Sequence, residues 1–281
     1  MAPSKQPGPV GQAKERRDPI DEGTLARSRS EPPSTIGAPG LGGPLQTGPV
    51  ALASGACSFL NPRSSGTVRA PQEAFDRLRN NSGAATISAP RPKDSQAWPH
   101  GAASAAIEQD ITIDGRAIAV VRPTDADAAG KNLPTTAQLA EALRAIPASQ
   151  RALTTRVFLS PWPHPDSTAT TTVAGDAGAG VITLYPVHSA QSRNDFDNRL
   201  MHESGHNYQG SLWTSGAAVR DWQAAATTDN RLPSPYAGSN AGDDFCEFGI
   251  LYNTARGTPC EARAKELYPN RWAKMVTYQS P

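Results

Sequence analysis

The sequence predicts an α+β domain behind a disordered leader, and three observations carry that prediction. The first hundred residues hold 14 of the 26 prolines but, of the 5 Trp, 6 Tyr and 6 Phe, only Phe59, Phe75 and Trp98. Strand-like alternation then dominates from about residue 107 to 187, and helical spacing takes over from about residue 192. Strands first and helices afterwards is the order of an α+β domain.

The leader cannot bury much. Runs between Met1 and Gly43 such as SKQPGPVGQAKERRDP and RSRSEPPSTIGAPGLGGP have no apolar periodicity, so nothing offsets the chain entropy lost on ordering. Residues 1–95 read as disordered and residues 96–281 as the folded domain. One short exception is Pro71 to Asn80, where Ala74, Phe75 and Leu78 fall at helical spacing.

Within the domain, Ile107 to Val121 alternates on both sides of Asp114-Gly115, a pair that accepts positive φ and predicts a hairpin. Thr136 to Ile146 sets Leu139, Leu143 and Ile146 on one helical stripe, stopped by Pro147. Leu153 to Leu159 and Val181 to Val187 read as strands. Between them Ser160 to Gly180, rich in Pro, Thr and Gly, reads as an exposed loop. Ser192 opens a helix with Asp195 in capping-box position and Gly210 as its stop. Further helices are expected from about Gly216 to Ala226 and from about Gly242 to Ala255.

Bulk properties exclude more than they identify. The balance of 27 Lys and Arg against 26 Asp and Glu gives a net charge of +1, which disfavours a polyelectrolyte binder of nucleic acid. No run approaches the roughly 20 apolar residues of a membrane span, and the N-terminus lacks the apolar block of a secretory signal. Cys57, Cys246 and Cys260 are odd in number, so thiols are expected, with at most one bridge.

The capped helix carries His202-Glu203-Ser204-Gly205-His206, an H-E-x-x-H. A spacing of four puts both imidazoles on one helical face, where they can share a metal ion, and sets Glu203 beside it as a proton acceptor for a metal-activated water. A hydrolytic zinc site needs a third protein ligand and one open position. Asp243-Asp244-Phe245-Cys246-Glu247 downstream supplies candidates, with Asp243 and Glu247 again four apart. One carboxylate can bind the ion while the other holds the second ring nitrogen of a ligand histidine.

These segments, with Ser234-Pro235-Tyr236-Ala237, Asn240 and Tyr268-Pro269-Asn270-Arg271, resemble the gluzincin metallopeptidases of the anthrax lethal factor type over about residues 135 to 275. The resemblance implies a zincin-like domain with a small mixed sheet, an active-site helix and C-terminal helices. It implies Zn2+ on His202, His206 and Asp243, with Glu203 as the catalytic base, Tyr236 supporting the oxyanion and Glu247 behind a ligand. Asp243 stands where that family has Glu; the shorter side chain requires its helix to approach more closely, or Asp244 or Glu247 to replace it. The implied reaction is endopeptidase cleavage of a protein substrate. The alternative is a degenerate zincin that acts by binding, through its surface or its leader.

The signal-less, Ser- and Pro-rich leader also resembles those of type III secreted effectors of plant-pathogenic bacteria, which implies delivery into a host cytoplasm and a host-derived substrate. Within it, Arg27 to Pro32 resembles a 14-3-3 recognition motif, with Ser30 as the phosphorylated residue. Outside the motif, His100, His164 and His188 read as surface or satisfied histidines. Trp213, Trp222 and Trp272 read as core or cleft wall, and Cys246 reads as a small apolar filler.

Overall fold

The computed structural model describes residues 57–61 and 66–279. The chain folds as a mixed α+β domain. After a single 3-10 turn at Ser58–Leu60, α1 (Gln72–Asn80) precedes β1 (Thr86–Ile87), β2 (Arg91–Gln96), β3 (Ser104–Ile113) and β4 (Arg116–Pro123). Three short helices, α2 (Asp125–Ala128), α3 (Thr136–Arg144) and α4 (Ala148–Arg151), lead to β5 (Arg156–Leu159), β6 (Gly175–Gly178) and β7 (Val181–Leu184). The rest is helical: α5 (Arg193–Leu212), α6 (Gly216–Asp229), α7 (Ala241–Ala255), α8 (Cys260–Leu267) and α9 (Pro269–Gln279).

The seven strands form one mixed sheet in the order β1-β3-β4-β5-β7-β6, with β2 also paired to β3. The β4–β5 and β5–β7 pairs are parallel and the others antiparallel. The β3–β4 hairpin turns on Asp114 (φ 52°) and Gly115 (φ 75°), the two positive-φ residues that an Asp-Gly turn supplies. Antiparallel pairing puts β6 at the sheet edge next to β7.

The main core joins Ile111, Ile118, Val120 and Val157 of the sheet to Leu139 and Leu143 of α3, Leu200 and Met201 of α5, and Phe245, Phe248 and Leu251 of α7. A smaller cluster, Trp98, Ala106, Val121 and Phe158, is separate from it. α7 is buried at every position from Gly242 to Ala255, so it is the central helix rather than an amphipathic surface one.

Three sequence expectations are corrected. The folded domain starts well before residue 96: α1, β1 and β2 belong to it, and Leu60, Val68, Ala70 and Phe75 lie in the main core. These few apolar residues are anchors supplied by tertiary partners, which local composition does not reveal. Residues 1–56, with Ser30, lie outside the described residues. The expected loop from Ser160 to Gly180 contains β6, whose sequence Gly-Asp-Ala-Gly has no strand propensity and is held by pairing to β7. Helix α5 runs through Gly210 to Leu212, and α6 runs to Asp229, where Asn230 (φ 47°) takes the left-handed cap.

Cys57 and Cys260 form a disulfide across 203 residues of sequence, with Cα atoms 5.4 Å apart. Thiols are thus replaced by one bridge, and Cys246 lies buried outside it. Among the described residues no helix is long and apolar enough to cross a membrane.

Candidate metal centre

Helix α5 starts where the Ser192 side chain accepts the Asp195 amide at 3.1 Å. It carries His202 and Glu203 into the interior and leaves His206 partly exposed, on a helix packed against α7 and β6. Helix α7 starts where Asn240 Oδ1 accepts the Asp243 amide at 2.9 Å, and Asn240 Nδ2 donates to Asp243 Oδ2 at 2.6 Å. One cap residue thereby fixes both the start of α7 and the orientation of its first carboxylate. Asp243 Oδ1 is left facing α5.

There the geometry converges. Asp243 Oδ1 lies 3.7 Å from His202 Nε2 and 3.6 Å from His206 Nε2. These separations are too long for good hydrogen bonds. They are close to the about 3.3–3.4 Å between neighbouring ligands of a tetrahedral ion with bonds of about 2.0–2.1 Å. The other ring nitrogens are spoken for: His202 Nδ1 donates to Glu247 Oε1 at 2.8 Å, and His206 Nδ1 to Gln209 Oε1 at 3.1 Å. With Nδ1 as the donor, each neutral ring presents its lone pair on Nε2. His202 Nε2 is buried without a hydrogen-bond partner, as a ligand nitrogen would be.

Glu247 is fully buried and uses both oxygens. Oε2 accepts from the Val68 amide and from Ser234 Oγ, the latter at 2.7 Å, while Oε1 holds His202. Asp244 points elsewhere: its carboxylate takes two bonds from Arg271, at 2.9 and 2.6 Å, and one from Trp222 Nε1 at 2.8 Å. Of the three acidic residues raised by the sequence, Asp243 alone directs an unclaimed oxygen at both histidines.

Helix approach explains how an aspartate reaches. A Cβ added to Gly205 would stand 3.0 Å from Cys246 Sγ and 3.3 Å from its Cα, so α7 lies tight against α5 where α5 has no side chain. Cys246 Sγ also lies within 4.8 Å of a nitrogen on each ring, a possibility that the sequence reading missed by taking the residue as filler. Asp243 remains the better third ligand because its oxygen faces the two Nε2 atoms, whereas the sulfur packs beneath Gly205.

Glu203 is 3% exposed, and its Oε2 has no hydrogen-bond partner. Burial pushes its carboxyl up to about 7, against the pull of His202 and Arg199. A Cβ on Gly175 of β6 would lie 2.6 Å from Glu203 Oε1, so the edge strand runs directly over this carboxylate. Burial also pushes His206 down to about 4. Tyr236, 7% exposed, has its ring centroid 5.5 Å from that of His202, with its amide bonded to the Gly66 carbonyl. The Asp243 carboxylate with the two imidazoles forms a donor set suited to a divalent cation with nitrogen and oxygen ligands, and the Glu203 and Glu247 carboxylates are buried beside it.

Of the three histidines read as surface or satisfied, His100 and His164 come together in a cluster. His100 and His164 stack edge to face at 5.0 Å, near Asp176, which accepts from the Tyr185 hydroxyl at 2.6 Å. Here the His164 Nδ1 already accepts the Asp166 amide at 3.1 Å, which leaves the ring proton on Nε2 and removes it as a ligand in that arrangement. His188 stays exposed, its Nε2 3.2 Å from the Thr168 carbonyl. No protein-family model matches the chain, and no curated protein or solved structure matches it.

Proposed function

We propose that the chain is a zinc-dependent endopeptidase with a zincin-like, gluzincin-type site. The observation that supports this most directly is the meeting of His202 Nε2, His206 Nε2 and Asp243 Oδ1, with each imidazole's other nitrogen already hydrogen-bonded. His202, His206 and Asp243 would hold the ion. Zinc, when bound, supplies the Lewis acidity that brings a water into ionisation range near neutral pH and polarises a carbonyl.

The protein's own groups do the rest. Glu203, buried beside the histidines with an unpaired Oε2, accepts a proton from the attacking water and returns it to the leaving amine. Tyr236 donates to the oxyanion, a role worth roughly 10²- to 10³-fold in rate. Glu247 is a positioning residue: it holds His202 Nδ1 and so aims Nε2. The outer edge of β6, at the end of the sheet and against α5, suits an extended peptide that adds to it as a strand. The substrate is therefore a protein segment in extended conformation.

Export from the producing cell belongs to the same proposal. The Cys57–Cys260 bridge supports an oxidising working compartment over a host cytoplasm, where thiol pools keep such bonds reduced.

The test is zinc content of the folded full-length chain by elemental analysis, with turnover on a peptide library. One zinc in the parent, none in Asp243→Ala, and full zinc without turnover in Glu203→Gln are expected. A folded parent that takes up no zinc would leave the degenerate, binding reading instead.

A further inference from the structure

Residues 66–70 run against the metal centre as an irregular strap. The Tyr236 amide donates to the Gly66 carbonyl at 3.3 Å, the Val68 amide donates to Glu247, and Ala70 exchanges two bonds with the Asn198 side chain, at 2.9 and 3.1 Å. Each of these contacts lands on an element of the site: the turn bearing Tyr236, the carboxylate that orients His202, or α5 itself. Without the Val68 amide, Glu247 Oε2 keeps only the Ser234 hydroxyl, and the carboxylate that aims His202 is held from one side.

A covalent tie also lies upstream of the strap in sequence. Upstream of it, Leu60 buries its side chain and accepts the Tyr268 hydroxyl at 3.2 Å, and Cys57 is bonded to Cys260 at the start of α8, just beyond α7. From residue 57 to residue 70 only Leu60, Val68 and Ala70 among the described residues bury apolar side chains below a tenth of their surface. A segment with so few buried groups belongs to the low-stability end of a structure unless it is tied down.

We propose that Cys57–Cys260 is a thiol–disulfide exchange site whose redox state governs how tightly the metal centre retains its ion; this rests on the zinc reading above. Cys57 is half-buried and Cys260 is 1% exposed, so an incoming thiolate attacks at Cys57 Sγ. The S–S bond breaks, Cys260 leaves as a thiolate and takes up a proton, and Cys57 forms a mixed disulfide with the reductant. The second thiol of a dithiol reductant then displaces Cys57. The protein gains two electrons and two protons, and the reductant becomes a disulfide. In a reducing cytoplasm the strap is loose and Glu247 holds His202 poorly; after export, oxidation clamps the strap and completes the site. A producing cell would thereby carry the hydrolase in its weak metal-binding form.

The full-length chain decides this with two readouts, taken before and after dithiothreitol. Amide hydrogen exchange follows Val68, Ala70 and Tyr236; transfer of zinc to a chromogenic chelator follows retention. Cys57→Ser/Cys260→Ser serves as the genetic counterpart, and if it does not fold, reduction of the folded parent carries the test. Once mass spectrometry shows both bridge thiols alkylated, at least tenfold faster exchange at the three amides and tenfold faster zinc transfer are expected. Unchanged exchange and transfer with the bridge fully reduced would overturn the proposal. A parent that never takes up zinc removes the function reading, whereas the exchange arm still reports whether the bridge holds the strap; protected amides there would sink it too.

Discussion

Gly205 and Cys246 meet where α5 crosses α7, close enough that a Cβ at 205 would stand 3.0 Å from the cysteine sulfur and 3.2 Å from its Cβ. The glycine inside H-E-x-x-H is what lets a short carboxylate reach between the two imidazoles. Gly205→Ala should therefore push α7 outward. Overpacking of this kind costs about 1–3 kcal/mol, partly offset by about 1 kcal/mol of helix propensity. Its clearer effect is on zinc affinity, expected to fall at least tenfold by competition with a chelator. Asp243→Glu should recover part of that loss in the Gly205→Ala background and give no gain in the parent. Equal zinc affinity of Gly205→Ala and parent would separate helix spacing from ligation.

Glu247 accepts from three donors: His202 Nδ1, the Val68 amide and Ser234 Oγ. In Glu247→Gln one oxygen can still serve His202, but the new amide group faces the Val68 N–H, donor to donor. Leaving such a buried donor unsatisfied costs about 1–3 kcal/mol. Zinc affinity should drop about 10- to 100-fold, the usual consequence of losing an outer-shell partner. The check is isothermal titration of zinc into the apo protein together with a urea midpoint; a variant with parental affinity would remove Glu247 from the positioning role.

Much of the candidate site was legible because its chemistry is local in sequence. His202, Glu203 and His206 lie within one helical turn and a half, and the Ser192 cap and the positive-φ turn at Asp114-Gly115 follow from residue type alone. The need for closer helix approach at Asp243 could be read from side-chain length, but its cause, Gly205 against Cys246, is a contact between residues 41 apart. What stayed hidden is tertiary. Val68 and Ala70 sit in a Pro- and Ser-rich stretch and become core only because Glu247 and Asn198 bond their backbone. β6 has two glycines in four residues and exists through pairing. Cys57 finds Cys260 across 203 residues, and spacing offers no hint of that partner. The His100–His164–Asp176 cluster gathers side chains from three segments that share no pattern.

Asp244 differs from its neighbour Asp243 by pointing into an ionic cluster. Arg271 of α9, 1% exposed, donates to Asp244 and also to Asp229 at the end of α6, so α6 and α9 are tied to α7 by charge-assisted bonds. Arg271→Met would leave both carboxylates buried without their cation, a loss of about 3–5 kcal/mol. The urea midpoint should fall accordingly. Asp244→Asn, a gentler change, should keep one zinc per folded chain. Loss of zinc in folded Asp244→Asn would instead make Asp244 a ligand.

Tyr268 supplies a pH dependence remote from the metal centre. Its ring is fully buried, its hydroxyl donates to the Leu60 and Leu232 carbonyls, and burial pushes its phenol up to about 12 from an ordinary value of 10. A folded-state value above the unfolded one means the unfolded chain releases this proton first. The stability contributed by the neutral phenol is therefore complete below pH 10 and is lost as pH rises from 10 to about 12. A two-unit shift corresponds to about 3 kcal/mol at full loss. Tyr268→Phe cannot ionise there, and it also lacks the two hydrogen bonds, so it should be less stable than the parent at pH 8. The gap should narrow steadily between pH 10 and 12 in urea titrations at each pH. A gap that stays constant over that range would show that the Tyr268 phenol ionises as readily in the folded protein as in the unfolded chain.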